Sequence, residues 1–184
     1  MALHGPHVDV DGLAWERATM ATSACGLCGR LSIDRLDTLG NRLPAADAPA
    51  VEAAVVSGLP AALRQSQPVF AETGGLHAAG LFDAAGRLHV SREDVGRHCA
   101  VDKVIGAAFR AGWLPASESL LVVSGRVAFE IVQKAAMAGV PIVIAVGAPS
   151  SLAVDAARAT GQTLIGFTRR GRFNVYTGYQ RLRG

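Results

Sequence analysis

Two of the chain's three cysteines stand in Thr22-Ser23-Ala24-Cys25-Gly26-Leu27-Cys28-Gly29-Arg30, spaced C-x-x-C with glycine after each. Glycine lets the backbone take left-handed conformations and leaves both sulfurs uncovered, which suits a reactive loop better than a packed core. Two thiols at this spacing can close a disulfide, hold half of a metal site, or pass a sulfur atom between them. A zinc site needs four ligands, or three plus water. Cys25 and Cys28 supply two, and Cys99, His98 or His77 could add others, but no second C-x-x-C and no H-x-x-x-H completes the set. A redox dithiol sits best at the N-terminus of a helix, where the dipole lowers the thiol pKa. The residues after Cys28, Gly29-Arg30-Leu31-Ser32-Ile33, do not announce a long helix. Zinc deaminases place H-x-E ahead of P-C-x-x-C. Here His77-Ala78-Ala79 lacks the glutamate and follows the cysteines. Sulfur carriage stays open beside the weakened zinc and redox uses. In it a thiolate attacks a donor persulfide, carries the terminal sulfur, and hands it to an acceptor, with the second thiol assisting or resolving.

A carrier also needs a pocket for its acceptor, so the elements behind the loop matter. Residues 1–20 show little periodicity beyond a short strand expected at 12–16, and 34–47 are polar and proline-bearing. Val51, Ala54, Val55, Leu59, Ala62 and Leu63 recur at helical spacing, with Gly58 and Pro60 expected to break the helix in two and Pro68 to end it. Phe70 to Gly80 reads as a small-residue segment entering a strand. Leu81-Phe82 and Leu88-His89-Val90 flank a loop at 83–87, as in a hairpin. Arg97 to Gly112 carries one apolar stripe, Ala100, Val101, Val104, Ile105, Ala108 and Phe109, with Gly112 as a natural C-cap. Cys99 reads there as a small apolar residue. Three short apolar strands follow, at 120–123, 141–146 and 163–167, alternating with helices at 127–138 and 151–160. An edge strand at 173–177 comes last. That alternation argues a parallel sheet covered on both faces. Ligands of such sheets bind beyond the carboxyl ends of the strands. Here those positions are Ser124-Gly125-Arg126, Gly147-Ala148-Pro149-Ser150 and Thr168-Arg169-Arg170-Gly171-Arg172. The first and third join small residues to arginine, a pairing suited to phosphate.

The composition narrows the class. Half of the 184 residues are hydrophobic, 18% are charged and the mean hydropathy is +0.29, so a folded core is expected and disorder is not. No apolar run approaches the roughly 18 residues of a bilayer span. An N-terminus with His4, His7, Asp9 and Asp11 and no apolar core does not read as a signal peptide, so a cytoplasmic, reducing setting is the expectation. The net charge of +3 comes almost wholly from arginine, since Lys103 and Lys134 are the only lysines. GC-rich codon usage produces the same bias. No continuous basic stripe points to nucleic acid.

Longer motifs appear in order: the cysteine loop, Thr73-Gly74-Gly75-Leu76-His77-Ala78-Ala79, Glu93-Asp94-Val95-Gly96-Arg97-His98 with Ala100, Asp102 and Lys103, and Ser124-Gly125-Arg126. Then come Lys134-Ala135, Ala138-Gly139-Val140-Pro141, Gly166-Phe167 and Val175-Tyr176-Thr177. With these the chain, from about residue 15 to its end, resembles the formate dehydrogenase accessory proteins of the FdhD/NarQ family. The resemblance implies a single domain over 1–184 with a three-layer α/β/α, cytidine-deaminase-like mixed sheet, a flexible cysteine loop, and a homodimer. It implies a sulfur carrier that takes sulfur from a cysteine desulfurase. The sulfur goes to the bis(molybdopterin guanine dinucleotide) molybdenum cofactor before that cofactor enters formate dehydrogenase. By the family's motif Cys25 would carry the persulfide and Cys28 would assist, with no metal. Phe167, Thr168, Arg169, Arg170, Gly171 and Arg172 match its cofactor-binding stretch.

The chain departs from the family twice. Family members usually carry a longer N-terminal portion before the cysteine loop. Cys99 stands where asparagine usually follows Gly-Arg-His, which removes an amide and adds a third thiol. Two alternatives accompany the carrier reading: a chaperone that holds the cofactor without transferring sulfur, and a thiol-disulfide redox protein. The purely structural reading of Thr73-Gly74-Gly75 is a tight backbone packing site, and that of His77 a satisfied buried histidine.

Overall fold

Leu120-Leu121-Val122-Val123 and Ile142-Val143-Ile144-Ala145 have no polar position, and only a strand covered on both faces can bury every side chain of such a run. A computed structural model of the chain, which describes residues 49–169 and 171–184, has both in the middle of a six-stranded sheet. The cysteine loop with Cys25 and Cys28, the strand expected at 12–16, the polar stretch at 34–47 and Arg170 lie outside the described residues. The sheet runs β3 (Leu88–Asp94), β2 (His77–Phe82), β4 (Leu120–Val123), β5 (Ile142–Ala145), β6 (Thr163–Arg169), β7 (Arg172–Thr177). A separate two-residue pairing joins β1 (Val51–Glu52) to β8 (Leu182–Arg183).

Among the described residues five α-helices, α1 (Ala53–Gln65), α2 (Pro68–Thr73), α3 (Arg97–Arg110), α4 (Phe129–Met137) and α5 (Ser151–Ala159), connect the strands. Because strand side chains alternate, Leu121, Val123, Val143, Ala145 and Leu164 point to one face. There they pack with Val104 of α3, Val132 of α4 and Ala156 of α5. Leu120, Val122, Ile142, Ile144 and Ile165 point to the other face, against Val56, Leu59 and Leu63 of α1. The result is a mixed α/β sheet between two helical layers.

The three strands expected to lie parallel, β4, β5 and β6, pair in parallel; β2 pairs antiparallel with both β3 and β4, and β7 antiparallel with β6, which makes the sheet mixed. Two expectations change. α1 runs unbroken through Pro60. An interior proline costs about 3 kcal/mol, whereas burying Val56, Leu59 and Leu63, all at most 1% exposed, returns about 1.5–3 kcal/mol each. Tertiary packing therefore outweighs the local break. Pro68, expected to end a helix, starts α2, where its missing N–H costs nothing.

The expected stripe of α3 holds for Ala100, Val101, Val104 and Ala108, but Phe109 is 72% exposed at the edge of the helix. Cys99 is also exposed and does not serve as a core residue.

Candidate functional site

Four charged residues of the Glu93–Lys103 motif turn out to hold elements in place. The Glu93 carboxylate accepts the backbone N–H groups of Val69 at 3.0 Å and Phe70 at 2.8 Å, so it caps the first turn of α2 from across the sequence. Those N–H groups have no partner within the helix, and α2's own N-cap, Gln67, offers no side-chain bond. Asp94 accepts the Gly96 N–H at 2.9 Å and pairs with Lys103 Nζ at 2.5 Å. The Lys103 bond is the first cause, and the Gly96 N–H the second, of an Asp94 carboxyl held below the usual carboxylate range. Lys103 also donates to the Glu93 carbonyl oxygen at 3.0 Å, and Lys134 on α4 pairs with Asp102 on α3 at 2.5 Å. The motif thus ties α2, β3, α3 and α4 together and sets Arg97 and His98 at the start of α3.

At the same end of the sheet, a cavity of about 870 Å³ opens beyond the carboxyl ends of β4, β5 and β6. Its lining draws Ser124, Val146, Thr168 and Arg169 from the parallel strands and Arg172 from β7. Gly74, Gly75, Leu76 and His77 line it from the entry to β2. The remaining wall is one face of α1, with Ser57, Pro60, Ala61 and Arg64 at helical spacing, followed by Gln67 and Phe70. The Arg64 guanidinium lies 3.8 Å from the centroid of the Phe70 ring, a cation–π contact that stiffens this side. Three arginines and no acidic residue line the cavity, among the described residues. Its field therefore favours an anion.

His77 and Ser124 meet on this wall. The Ser124 hydroxyl oxygen accepts the Ala78 N–H at 2.8 Å and lies 3.5 Å from His77 Nδ1. The imidazole lies against the backbone of Gly125. A Cβ there would come within 3.2 Å of the ring and 3.5 Å of Arg97 Cδ, so the approach depends on glycine. Burial first, and the Arg97 charge second, lower the pKa of His77 below its ordinary 6.5, so the ring is neutral at pH 7. The pKa of His98 shifts the same way, first by burial and then by Arg97 and Lys134. Gly147 makes a second close approach: a Cβ would sit 2.9 Å from Arg126 N and 3.0 Å from Arg126 Cα. Gly147 N–H donates to Gly125 O, and Phe167 N–H donates to Gly147 O, both at 3.0 Å. These two bonds stitch the three strand ends to one another and fix the spacing between Ser124 and Thr168.

The stretch expected at the C-terminal turn divides. Thr168, Arg169 and Arg172 line the cavity. Phe167 does not; it takes φ +53 at an irregularity of the β6–β7 pairing and stands 42% exposed. Gly171, at φ +80, forms the exposed turn. Gly74, Gly75, His77 and Ser124 share the cavity, whereas Arg126 is exposed outside it. Sequence reasoning missed Ser57, Arg64, Gln67 and Phe70. The available signal was the helical spacing of Ser57 and Arg64, two turns apart on α1 and off the stripe of the buried Val56, Leu59 and Leu63. Among the described residues no group of histidine, cysteine, aspartate and glutamate could hold a metal ion, and no helix is long and apolar enough to cross a membrane.

The chain is similar to known proteins over most of its length. It is 52% identical over 179 residues to a protein of Streptomyces coelicolor named "Sulfur carrier protein FdhD", covering 96% of this chain and 63% of that protein. It is 53% identical over 167 residues to a protein of the same name from Nocardia farcinica, covering 91% and 60%. The chain thus spans 60–63% of the length of these curated relatives. A crystal structure from Desulfotalea psychrophila, provisionally identified as a formate dehydrogenase accessory protein, superposes with a TM-score of 0.68 at 33% identity. That match covers 76% of this chain and 62% of the other. The model of the FdhD/NarQ family matches residues 6–183, so the chain belongs to the FdhD/NarQ family.

Proposed function

We propose that the chain is a cytoplasmic sulfur carrier for maturation of a molybdenum enzyme of the formate dehydrogenase type. Cys25 would take sulfur from a cysteine desulfurase and pass it to the bis(molybdopterin guanine dinucleotide) cofactor, which is its substrate. The observation that carries the reading is the glycine-flanked Cys25/Cys28 pair in a chain whose relatives are named sulfur carrier proteins. The transfers balance as follows. The Cys25 thiolate attacks the terminal sulfur of the donor persulfide; the new S–S bond replaces the old, the donor leaves as a thiolate, and no net oxidation occurs. In delivery the Cys28 thiolate attacks the Cys25 sulfur of the persulfide. The terminal sulfur leaves as hydrosulfide for the acceptor, and a Cys25–Cys28 disulfide remains, to be reduced by a cellular dithiol.

The cavity supports an acceptor of this kind. Its volume of about 870 Å³ is in the range of sites that enclose a nucleotide-sized ligand, and Arg64, Arg169 and Arg172 suit a pyrophosphate. In a homodimer, two copies would supply one cavity for each dinucleotide arm.

Incubation with a desulfurase and cysteine, followed by mapping of the added 32 Da by mass spectrometry, tests the carrier (mass of one sulfur, roughly one persulfide per chain). Sulfur should appear on Cys25 in the parent and be absent from Cys25→Ala. Equal loading of the variant would refute the assignment. The second reading is a cofactor chaperone without sulfur transfer, because the described residues, all downstream of the cysteines, already supply a cavity lined by arginines. Cofactor retention together with an undiminished client enzyme in the Cys25→Ala, Cys28→Ala double variant would favour it.

A further inference from the structure

The sulfur handover proposed above moves a proton. At neutral pH a cysteine is mostly thiol, so Cys28 must lose a proton to attack, and the departing sulfur must gain one to leave as hydrosulfide. Few side chains of the cavity wall can carry it. Arg64, Arg169 and Arg172 stay protonated throughout, and the serine, threonine and glutamine side chains of the wall do not titrate. Among the described residues that line the cavity, His77 alone has a proton equilibrium near neutrality.

Its surroundings leave one ring nitrogen for that work. The Nδ1–Cε1 edge lies against Gly125, where a Cβ would come within 3.2 Å of both atoms. Ser124 Oγ, 3.5 Å from Nδ1, already accepts the Ala78 N–H and keeps a second lone pair for Nδ1–H. With Nδ1–H turned to that oxygen, Nε2 carries the lone pair. Nε2 has no partner among the described residues, and unlike His98 Nε2 it is not sealed from solvent. The charged neighbours oppose a resting charge on the ring. Arg97 and the neutral His98 lie on the α3 side, and Arg64, Arg169 and Arg172 share the cavity. Asp94, opposite His77 in the β2–β3 pairing, is bound to Lys103. The imidazole thus rests unprotonated, free to take a proton, and gives it up readily once taken.

We infer that His77 is the general base of the handover: its Nε2 takes the proton of the attacking thiol and returns it to the departing sulfur. In that step the Cys28 S–H bond breaks and the Cys25–Cys28 S–S bond forms. The bond from Cys25 to the terminal sulfur breaks, and its electron pair stays on the terminal sulfur. The two cysteines are oxidised to the disulfide, the terminal sulfur is reduced to hydrosulfide, and the proton crosses from one to the other without net gain or loss. Ser124 is the positioning residue, acting through Nδ1. This role rests on the carrier reading proposed above and adds to it the residue that moves the proton.

The full chain is loaded by a desulfurase and cysteine, freed of both, and followed with a sulfide-selective electrode as it releases hydrosulfide. Mass spectrometry gives the extent of loading beforehand. His77→Gln should load Cys25 as fully as the parent and release about 100-fold more slowly, the contribution typical of a positioned base. Ser124→Ala should slow release about threefold, the effect of one weak hydrogen bond. The parent rate should be level between about pH 7 and 8, where the imidazole is already neutral, while the His77→Gln rate climbs about tenfold per pH unit with the thiolate. A parent that takes no sulfur on Cys25 overturns the carrier reading and this inference with it. Full loading with undiminished release in His77→Gln overturns the inference alone, and so does slowed release that stays level over that pH range. Melting curves report whether each variant folds. If none does, the parent decides by itself: a release rate that climbs with the thiolate from about pH 7 to 8 leaves no place for the base.

Discussion

Replacing Glu93 by alanine removes the only side-chain cap that α2 receives from the described residues, and the cost can be worked from its two bonds. The carboxylate accepts Phe70 N–H at 2.8 Å in a half-buried position and Val69 N–H at 3.0 Å in an exposed one. Hydrogen bonds to charged groups are worth about 1.5–3 kcal/mol. The exposed one is discounted to about 1 because water can replace the lost acceptor. The sum is about 2.5–4 kcal/mol, with a few tenths more for a negative charge at a helix N-terminus. For a chain of this size each kcal/mol moves Tm by about 2–4 °C, so Glu93→Ala should lower Tm by about 5–16 °C. Glu93→Gln keeps one acceptor oxygen and turns the other into a donor facing an N–H, so it should recover less than half of that loss. Differential scanning calorimetry of the three proteins reads the order directly. α2 and the turn after it carry Phe70, Gly74 and Gly75 into the cavity wall, so pyrophosphate and GDP binding should weaken in step with stability. A Glu93→Ala protein that melts with the parent would refute the capping assignment. One that keeps its Tm but loses all function would return Glu93 to the reacting groups.

The remaining predictions concern the neighbouring histidines and glycines. His77 and His98 both titrate below 6.5 in the folded chain, so between those depressed values and 6.5 the unfolded chain binds more protons. Stability should therefore be fully present above pH 6.5 and fall as the pH drops through that window. A His77→Gln, His98→Gln protein should show a flatter Tm-versus-pH curve there, and an unchanged slope would count against the burial of these rings. Gly147→Ala should cost about 1–3 kcal/mol, since its Cβ would meet backbone atoms of Arg126 at 2.9 and 3.0 Å that cannot swing away. Gly58→Ala, in exposed α1 with nothing within 4 Å of the new methyl, should instead stabilise by about 0.5–1 kcal/mol. Urea denaturation of the two variants checks the opposite signs.

Local patterns carried much of the fold because its central strands are buried on both faces. A run such as Leu120 to Val123 has one environment that satisfies it, and the apolar stripe of α3 has one face to present. What stayed illegible depended on contacts distant in sequence. The cost of Pro60 is visible locally, but the burial that offsets it comes from Phe82, Leu120 and Ile144, far downstream. Glu93 sits in a charged motif whose spacing says nothing of Val69 and Phe70, more than twenty residues earlier. Arginines at the strand ends could be placed from the alternation of strands and helices, since strand ends are where such sheets receive ligands. The α1 side of the cavity could not. Ser57 and Arg64 form an ordinary polar helix face until the sheet edge they approach is known.

The strand ends gain their precision from backbone, which sequence motifs hint at only through glycine. Ser124 and Thr168 belong to strands separated by β5, and side chains alone would leave their spacing loose. The bonds from Gly147 N–H to Gly125 O and from Phe167 N–H to Gly147 O continue the ladder past the regular strands. The close approach of Gly147 to Arg126 leaves no room for the loops to slide. His77 is drawn into the same bracket through Gly125 and the Ser124 hydroxyl. A ligand entering the cavity therefore meets a wall that does not have to order itself on binding, and the entropy otherwise spent on that ordering is retained as affinity. The α1 side is held differently, by apolar packing beneath it and the Arg64–Phe70 contact above. Adjustment to the ligand should accordingly fall on the α1 and α2 side, with crosslinks between α1 and β6 weakening binding more than crosslinks between β4 and β5.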